Sequence, residues 1–163
     1  MILLKWEKVS NFNYTVELQL GTRREAVTVY RSYYRAKFEY CLPITTFSKQ
    51  QTALIEQPCI NALLPKMGYN RHFPRALVFG PVQYGGLGIK NLYYSQGCQH
   101  MKWFLKVMRS DSTINPLLNI LLRQTQMEAG TREPMLSARH KDRIISYQTP
   151  SWITCLGSFF RET

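Results

Sequence analysis

Ser48-Lys49-Gln50-Gln51-Thr52-Ala53-Leu54-Ile55-Glu56-Gln57-Pro58-Cys59-Ile60-Asn61-Ala62-Leu63-Leu64-Pro65-Lys66-Met67-Gly68 is the stretch whose reading decides the fold class. It opens as a capping box: the serine oxygen can accept from a free backbone N–H while the glutamine three residues on reaches back. Leu54, Ile55, Cys59, Leu63 and Leu64 follow on a helix that Pro58 must kink or restart, and Gly68 supplies its C-terminal cap.

The same grammar extends in both directions. Upstream, Leu3, Trp6, Val9 and Val16 predict a first helix over residues 2–20, stopped by Gly21. Thr22-Arg23-Arg24-Glu25 is a second capping box. From it Ala26, Tyr30, Tyr33 or Tyr34, Phe38 and Cys41 form one stripe, with Arg24, Arg31 and Arg35 on the other side, until Leu42-Pro43 ends the run. The bases and tyrosines of Tyr30 to Lys37 suit nucleobase stacking in composition, but helical spacing sends most of the tyrosines to the core, leaving Arg31 and Arg35 as exposed phosphate candidates.

Downstream, Pro74 begins a short helix ended by Gly80-Pro81. Tyr84-Gly85-Gly86-Leu87-Gly88-Ile89 is a close-approach loop whose amides are open to either a phosphate or a neighbouring helix; it lacks the G-x-G-x-x-G spacing. Asn91 caps a longer helix patterned by Leu92, Gln99 or Cys98, Met101 or Lys102, Leu105 and Met108. Asp111 or Ser112 caps the next, where Leu117, Leu118, Ile120, Leu121, Leu122 and Met127 make the most apolar helix of the chain, expected to be central and to end at Gly130. A last amphipathic helix carries Trp152, Ile153, Leu156, Phe159 and Phe160. No segment alternates over a strand length, and only residues 79–89 are open to short β pairing. The expected fold is mainly α, a helical bundle with a Gly-rich loop.

Length and composition fit a folded domain: 163 residues, 45% of them apolar and 13% aromatic. No apolar run is long enough to span a membrane, and the expectation is a soluble, intracellular chain with no membrane partner. Cys41, Cys59, Cys98 and Cys155 are widely spaced and read as buried or half-buried thiols, not disulfide or zinc ligands.

Net charge is +11, and no acidic residue occurs between Glu56 and Asp111, whereas Lys66, Arg71, Arg75 and Lys90 fall there. A polyanion is the partner such a surface attracts, with an anionic membrane or mere solubility as the bland alternatives. Two-metal phosphoryl transfer needs two or three convergent carboxylates, but the chain's two aspartates, Asp111 and Asp142, lie far apart in sequence, so no catalytic, metal or cofactor residue is assigned.

Tyr40-Cys41-Leu42-Pro43-Ile44-Thr45-Thr46-Phe47, then Ala62-Leu63-Leu64-Pro65-Lys66-Met67-Gly68-Tyr69-Asn70-Arg71, then Phe79-Gly80-Pro81 and Tyr84-Gly85-Gly86-Leu87-Gly88-Ile89, resemble in order and spacing the post-palm segment of reverse transcriptases from non-LTR (LINE-like) retroelements. The resemblance runs from about Arg23 to Gly130. It implies a helical thumb-like domain over 1–130; the polar residues of mixed charge over 131–149 read by composition as a linker, followed by a C-terminal amphipathic helix over 150–163. It further implies a non-catalytic fragment of an RNA-directed DNA polymerase, whose palm and fingers would precede residue 1 and be its partner. By position Lys66, Arg71, Arg75 and Lys90 are expected to touch the template–primer backbone, whether RNA, DNA or hybrid. The alternative expectation is an interaction fragment that needs a partner domain and binds no nucleic acid.

Overall fold

The computed structural model describes residues 22–111, 113–130, 134, 136 and 151–162. The helix expected over 2–20, Gly21, Ser112, Asp142 and all of the expected linker but Pro134 and Leu136 lie outside them. The described chain is mainly α-helical, with no strand among the described residues. It divides into two compact units, formed by the described parts of Met1–Cys41 with Phe47–Ser95 and of Leu42–Thr46 with Gln96–Thr163.

In the first unit, α1 (Arg23–Val29) starts at the Thr22 capping box: the Thr22 oxygen accepts from the Glu25 amide at 3.3 Å and Glu25 from the Thr22 amide at 3.1 Å. It passes directly into a π-wound stretch, Tyr30–Arg35, and a last turn, α2 (Ala36–Glu39). Ala26, Tyr30, Tyr34 and Phe38 are buried, each four residues after the last. In a pure α-helix such a stripe drifts by about 40° per step. The wider π turn offsets that drift, and so holds Tyr30, Tyr34 and Phe38 in one stack, with ring centroids 5.7 and 4.8 Å apart. Tyr33 faces out, with the Lys37 ammonium 3.5 Å from its ring centre.

Against this stripe lies α3 (Lys49–Lys66), capped by Ser48 and Gln51 as expected: the Ser48 oxygen accepts from the Gln51 amide at 3.3 Å, and Gln51 accepts from the Ser48 amide at 3.0 Å. The helix runs unbroken through Pro58, which does not restart it. Pro58 offers no N–H to the turn before it; there the Tyr34 hydroxyl donates to the Ile55 carbonyl at 2.8 Å. Gly68, at φ +83°, closes α3: the Tyr69 amide donates to the Leu64 carbonyl and the Gly68 amide to that of Pro65, a Schellman cap.

The short helix α4 (Arg75–Phe79) leads into a 3₁₀ turn, Val82–Tyr84, and the glycine loop. The β pairing open over 79–89 does not form: the loop folds back on α4 through isolated bonds, Leu87 N–H to the Leu77 carbonyl and Ile89 N–H to that of Val78, without making a ladder.

Next, α5 (Leu92–Met108) gives its first turn to the first unit and the rest to the second. Asn91 caps it as expected, accepting from the Tyr93 amide at 2.9 Å. Its inner side in the second unit differs from the expected one. Gln96, Gly97 and His100 are buried while Leu105 and Met108 are exposed. The reason is α7 (Trp152–Glu162), which buries Ile153, Leu156 and Phe159: a Cβ on Gly97 would sit 2.2 Å from the Phe159 ring, an approach only glycine permits.

The next helix, α6 (Ile114–Glu128), is preceded by Thr113 with no side-chain cap and so is not capped by Asp111. The Asn115 amide instead ties its start to the Met108 and Ser110 carbonyls at 3.4 and 3.3 Å. Expected to be central, it is peripheral: Leu118 and Thr125 are buried, and Ile114, Leu117, Ile120 and Leu121 are half or more exposed. Cys98 is likewise exposed, whereas Cys59 is buried and Cys41 and Cys155 half-buried; all four are free thiols.

Candidate nucleic-acid interface

All six bases singled out from sequence, Arg31, Arg35, Lys66, Arg71, Arg75 and Lys90, fall in the first unit, but they fall into two groups. Arg31, Arg71 and Lys90 are exposed and Lys66 half-buried, and none of the four makes a hydrogen bond or ion pair among the described residues. Lys66 ends α3, where a cation complements the partial negative charge of the helix terminus. Arg71 lies in the turn after the Schellman cap, a turn held by the Asn70 side chain accepting from the His72 amide at 2.9 Å. Lys90 directly precedes the α5 cap.

Arg35 is not the exposed phosphate candidate expected from helical spacing. Its side chain is 11% exposed, and its guanidinium pairs with Glu39 and reaches Ser95 Oγ at 3.4 Å. The π-winding turns it inward. Arg75 is also half-buried, with Nη2 donating to Asn61 Oδ1 at 2.5 Å and Nη1 buried without a hydrogen-bond partner among the described residues.

These two guanidinium groups converge electrostatically on Glu56, whose importance the sequence reading missed. Glu56 is 2% exposed, and its carboxylate accepts from Asn91 Nδ2 at 3.1 Å and from the Leu92 amide at 3.2 Å, so α3 supplies a cap to α5. Burial pushes its pKa up to about 8, with the Leu92 amide, Arg35 and Arg75 pulling the other way. Tyr30, Tyr34 and Cys59 share this interior and are all raised, chiefly by burial. The one sequence signal was a carboxylate on the apolar side of a helix, a step from Ile55 and Cys59.

The burial of Glu56 widens the positive surface. Between Glu39 and Asp111 it is the sole acidic residue, so the surface contributed by that whole span carries no carboxylate. Arg23, not singled out from sequence, adds to it: its guanidinium lies 5.7 Å from the Tyr69 ring centre, beside the turn that bears Arg71. Such a surface attracts phosphates without selecting bases.

The glycine loop does not offer its amides to a phosphate. The N–H groups of Gly85, Gly86, Leu87, Gly88 and Ile89 donate to the carbonyls of Val82, Pro81, Leu77, Gly80 and Val78. Gly85 and Gly88 take φ of +80° and +66°, and a Cβ on Gly86 would lie 2.1 Å from the Gly80 carbonyl oxygen. Of the two roles left open, close packing is the one the glycines serve, here against the chain's own α4 turn.

Among the described residues no three His, Cys, Asp or Glu side chains gather where a metal ion could sit, and no helix is long and apolar enough to cross a membrane. No family model, no curated protein and no solved structure matches the chain.

Proposed function

We propose that this chain is a thumb-like element of a reverse transcriptase of the non-LTR type, gripping a template–primer duplex by its phosphates and contributing no catalytic carboxylates. The observation that carries the reading is the set of unpaired bases Arg31, Lys66, Arg71 and Lys90 on one compact unit whose surface has no acid between Glu39 and Asp111. The order and spacing of the three sequence blocks support it further. In this reading Arg35 and Arg75 brace the interior, and the duplex meets the other four.

Binding to an RNA–DNA hybrid of about 20 base pairs, followed by fluorescence anisotropy, tests it. Four phosphate contacts give log K against log salt a slope of roughly −3 to −4, at about 0.9 per contact. Changing Arg31, Lys66, Arg71 and Lys90 together to Gln should abolish most of that slope while the helical circular dichroism stays as it was. A flat salt dependence, or a variant that binds like the parent, sinks the proposal. The competing reading, an interaction element with no nucleic-acid affinity, is favoured by the uncovered apolar face of α6, and it expects no duplex binding even at low salt.

A further inference from the structure

The second unit holds a feature that a phosphate-gripping surface leaves unused. An open groove of about 580 Å³ runs between α5 and α6, lined by Ile44, Trp103, Val107, Leu117, Leu121 and Trp152 among others, all of them within that unit. Trp103 is 49% exposed, Leu117 58% and Leu121 50%, so these side chains stand in water. An apolar surface of this kind, rimmed by polar groups, marks a contact site.

The α6 side of the groove runs from Ile114 to Leu121, a length of about 10 Å or two helical turns. Two turns of a helix present apolar side chains at i, i+3 or i+4 and i+7, which fits a groove of that length. Lys106 holds its ammonium 5.6 Å from the Trp103 ring centre, at the groove wall. Lys102 and Arg109, exposed on the same helix and the residue after it, add positive charge to this part of the chain without lining the groove. Asp111 and Glu128 are the exposed acids that the described part of α5, α6 and their connection contains.

We infer that this groove is a docking site for an amphipathic helix of a partner polypeptide that carries acidic side chains beside its apolar face. Charge selects this occupant over a second copy of the chain: two copies, each of net charge +11, would repel. The apolar contact supplies affinity, and Lys106 at the wall, with the net positive charge of the chain, supplies selection by charge. The site is independent of the phosphate-binding reading, since it uses other residues and another unit.

The probe is a fluorescein-labelled helical peptide of about 15 residues with Leu at i, i+3, i+4 and i+7 and Glu at the flanking positions, titrated with the full chain. Saturable binding is expected, about tenfold or more tighter than for the same peptide with Lys in place of Glu. Leu117→Glu and Leu121→Glu alter exposed side chains; each should abolish binding with the melting curve preserved, and Lys106→Glu should weaken the Glu peptide and strengthen the Lys peptide. Three results overturn the inference. The peptides bind equally; the Glu peptide is indifferent to both leucine variants and is displaced by a nucleic-acid duplex, which makes it merely a polyanion; or light scattering shows a dimer that Leu117→Glu dissolves, which gives the groove to a second copy.

Discussion

Glu56→Gln puts the buried carboxyl at the junction of α3 and α5 to the test. A carboxyl whose pKa is raised on folding holds its proton more tightly in the native state. Its contribution is therefore complete below the unfolded value of 4.5 and is lost as pH rises through the folded value of about 8. At about 1.36 kcal/mol per unit, the span from 4.5 to about 8 corresponds to roughly 5 kcal/mol, of which about 3 is gone by neutral pH. That is a large share of a stability of about 5–15 kcal/mol. Glutamine keeps the shape and an oxygen acceptor for the Leu92 amide, but has no proton to lose. Urea unfolding followed by circular dichroism, at about pH 5, 7 and 9, gives the stability of parent and variant. The parent should lose about 4 kcal/mol from pH 5 to 9 relative to the variant, and the difference cancels every other group that titrates in both. A difference that stays constant within about 0.5 kcal/mol across that range refutes the buried, proton-retaining carboxyl.

Other outcomes follow from single contacts. Gly97→Ala forces a methyl into the Phe159 ring and should cost about 1–3 kcal/mol, read as a lower melting temperature with earlier hydrogen exchange in α7; an unchanged melt would show that α7 does not pack there. Tyr34→Phe removes the hydroxyl from the Ile55 carbonyl ahead of Pro58 and should cost about 1–2 kcal/mol in urea unfolding, with no pH dependence below about pH 9. Ser48→Ala should cost about 1 kcal/mol by unpairing the Gln51 amide in the first turn of α3, and Ser48→Asp should restore it; equal stability of all three would mean that the cap contributes nothing.

The helix starts were written locally and read locally. Thr22 with Glu25, Ser48 with Gln51, Asn91, and Gly68 at positive φ act within four residues of themselves, so adjacent chemistry alone determined them. The mainly α class and the burial of Tyr30 and Phe38 followed from spacing in the same way, while the choice of Tyr34 over Tyr33 did not. What spacing could not supply was a partner for each face. An apolar run states that burial is favourable without saying against what, which is why α6, expected to be central, stands at the edge while Gln96 and His100 are buried.

The candidate interface divides along the same line. Sequence alone determined the excess of positive charge and the long interval without acids, because charge is a property of composition. Tertiary structure alone decided which bases are available: Arg35 reaches Ser95, 60 residues on, Asn61 holds Arg75, and Glu56 leaves the surface to cap a helix that begins 36 residues later. Those outcomes depend on groups brought together from distant parts of the chain, where desolvation and hydrogen bonding act through space and not along the sequence.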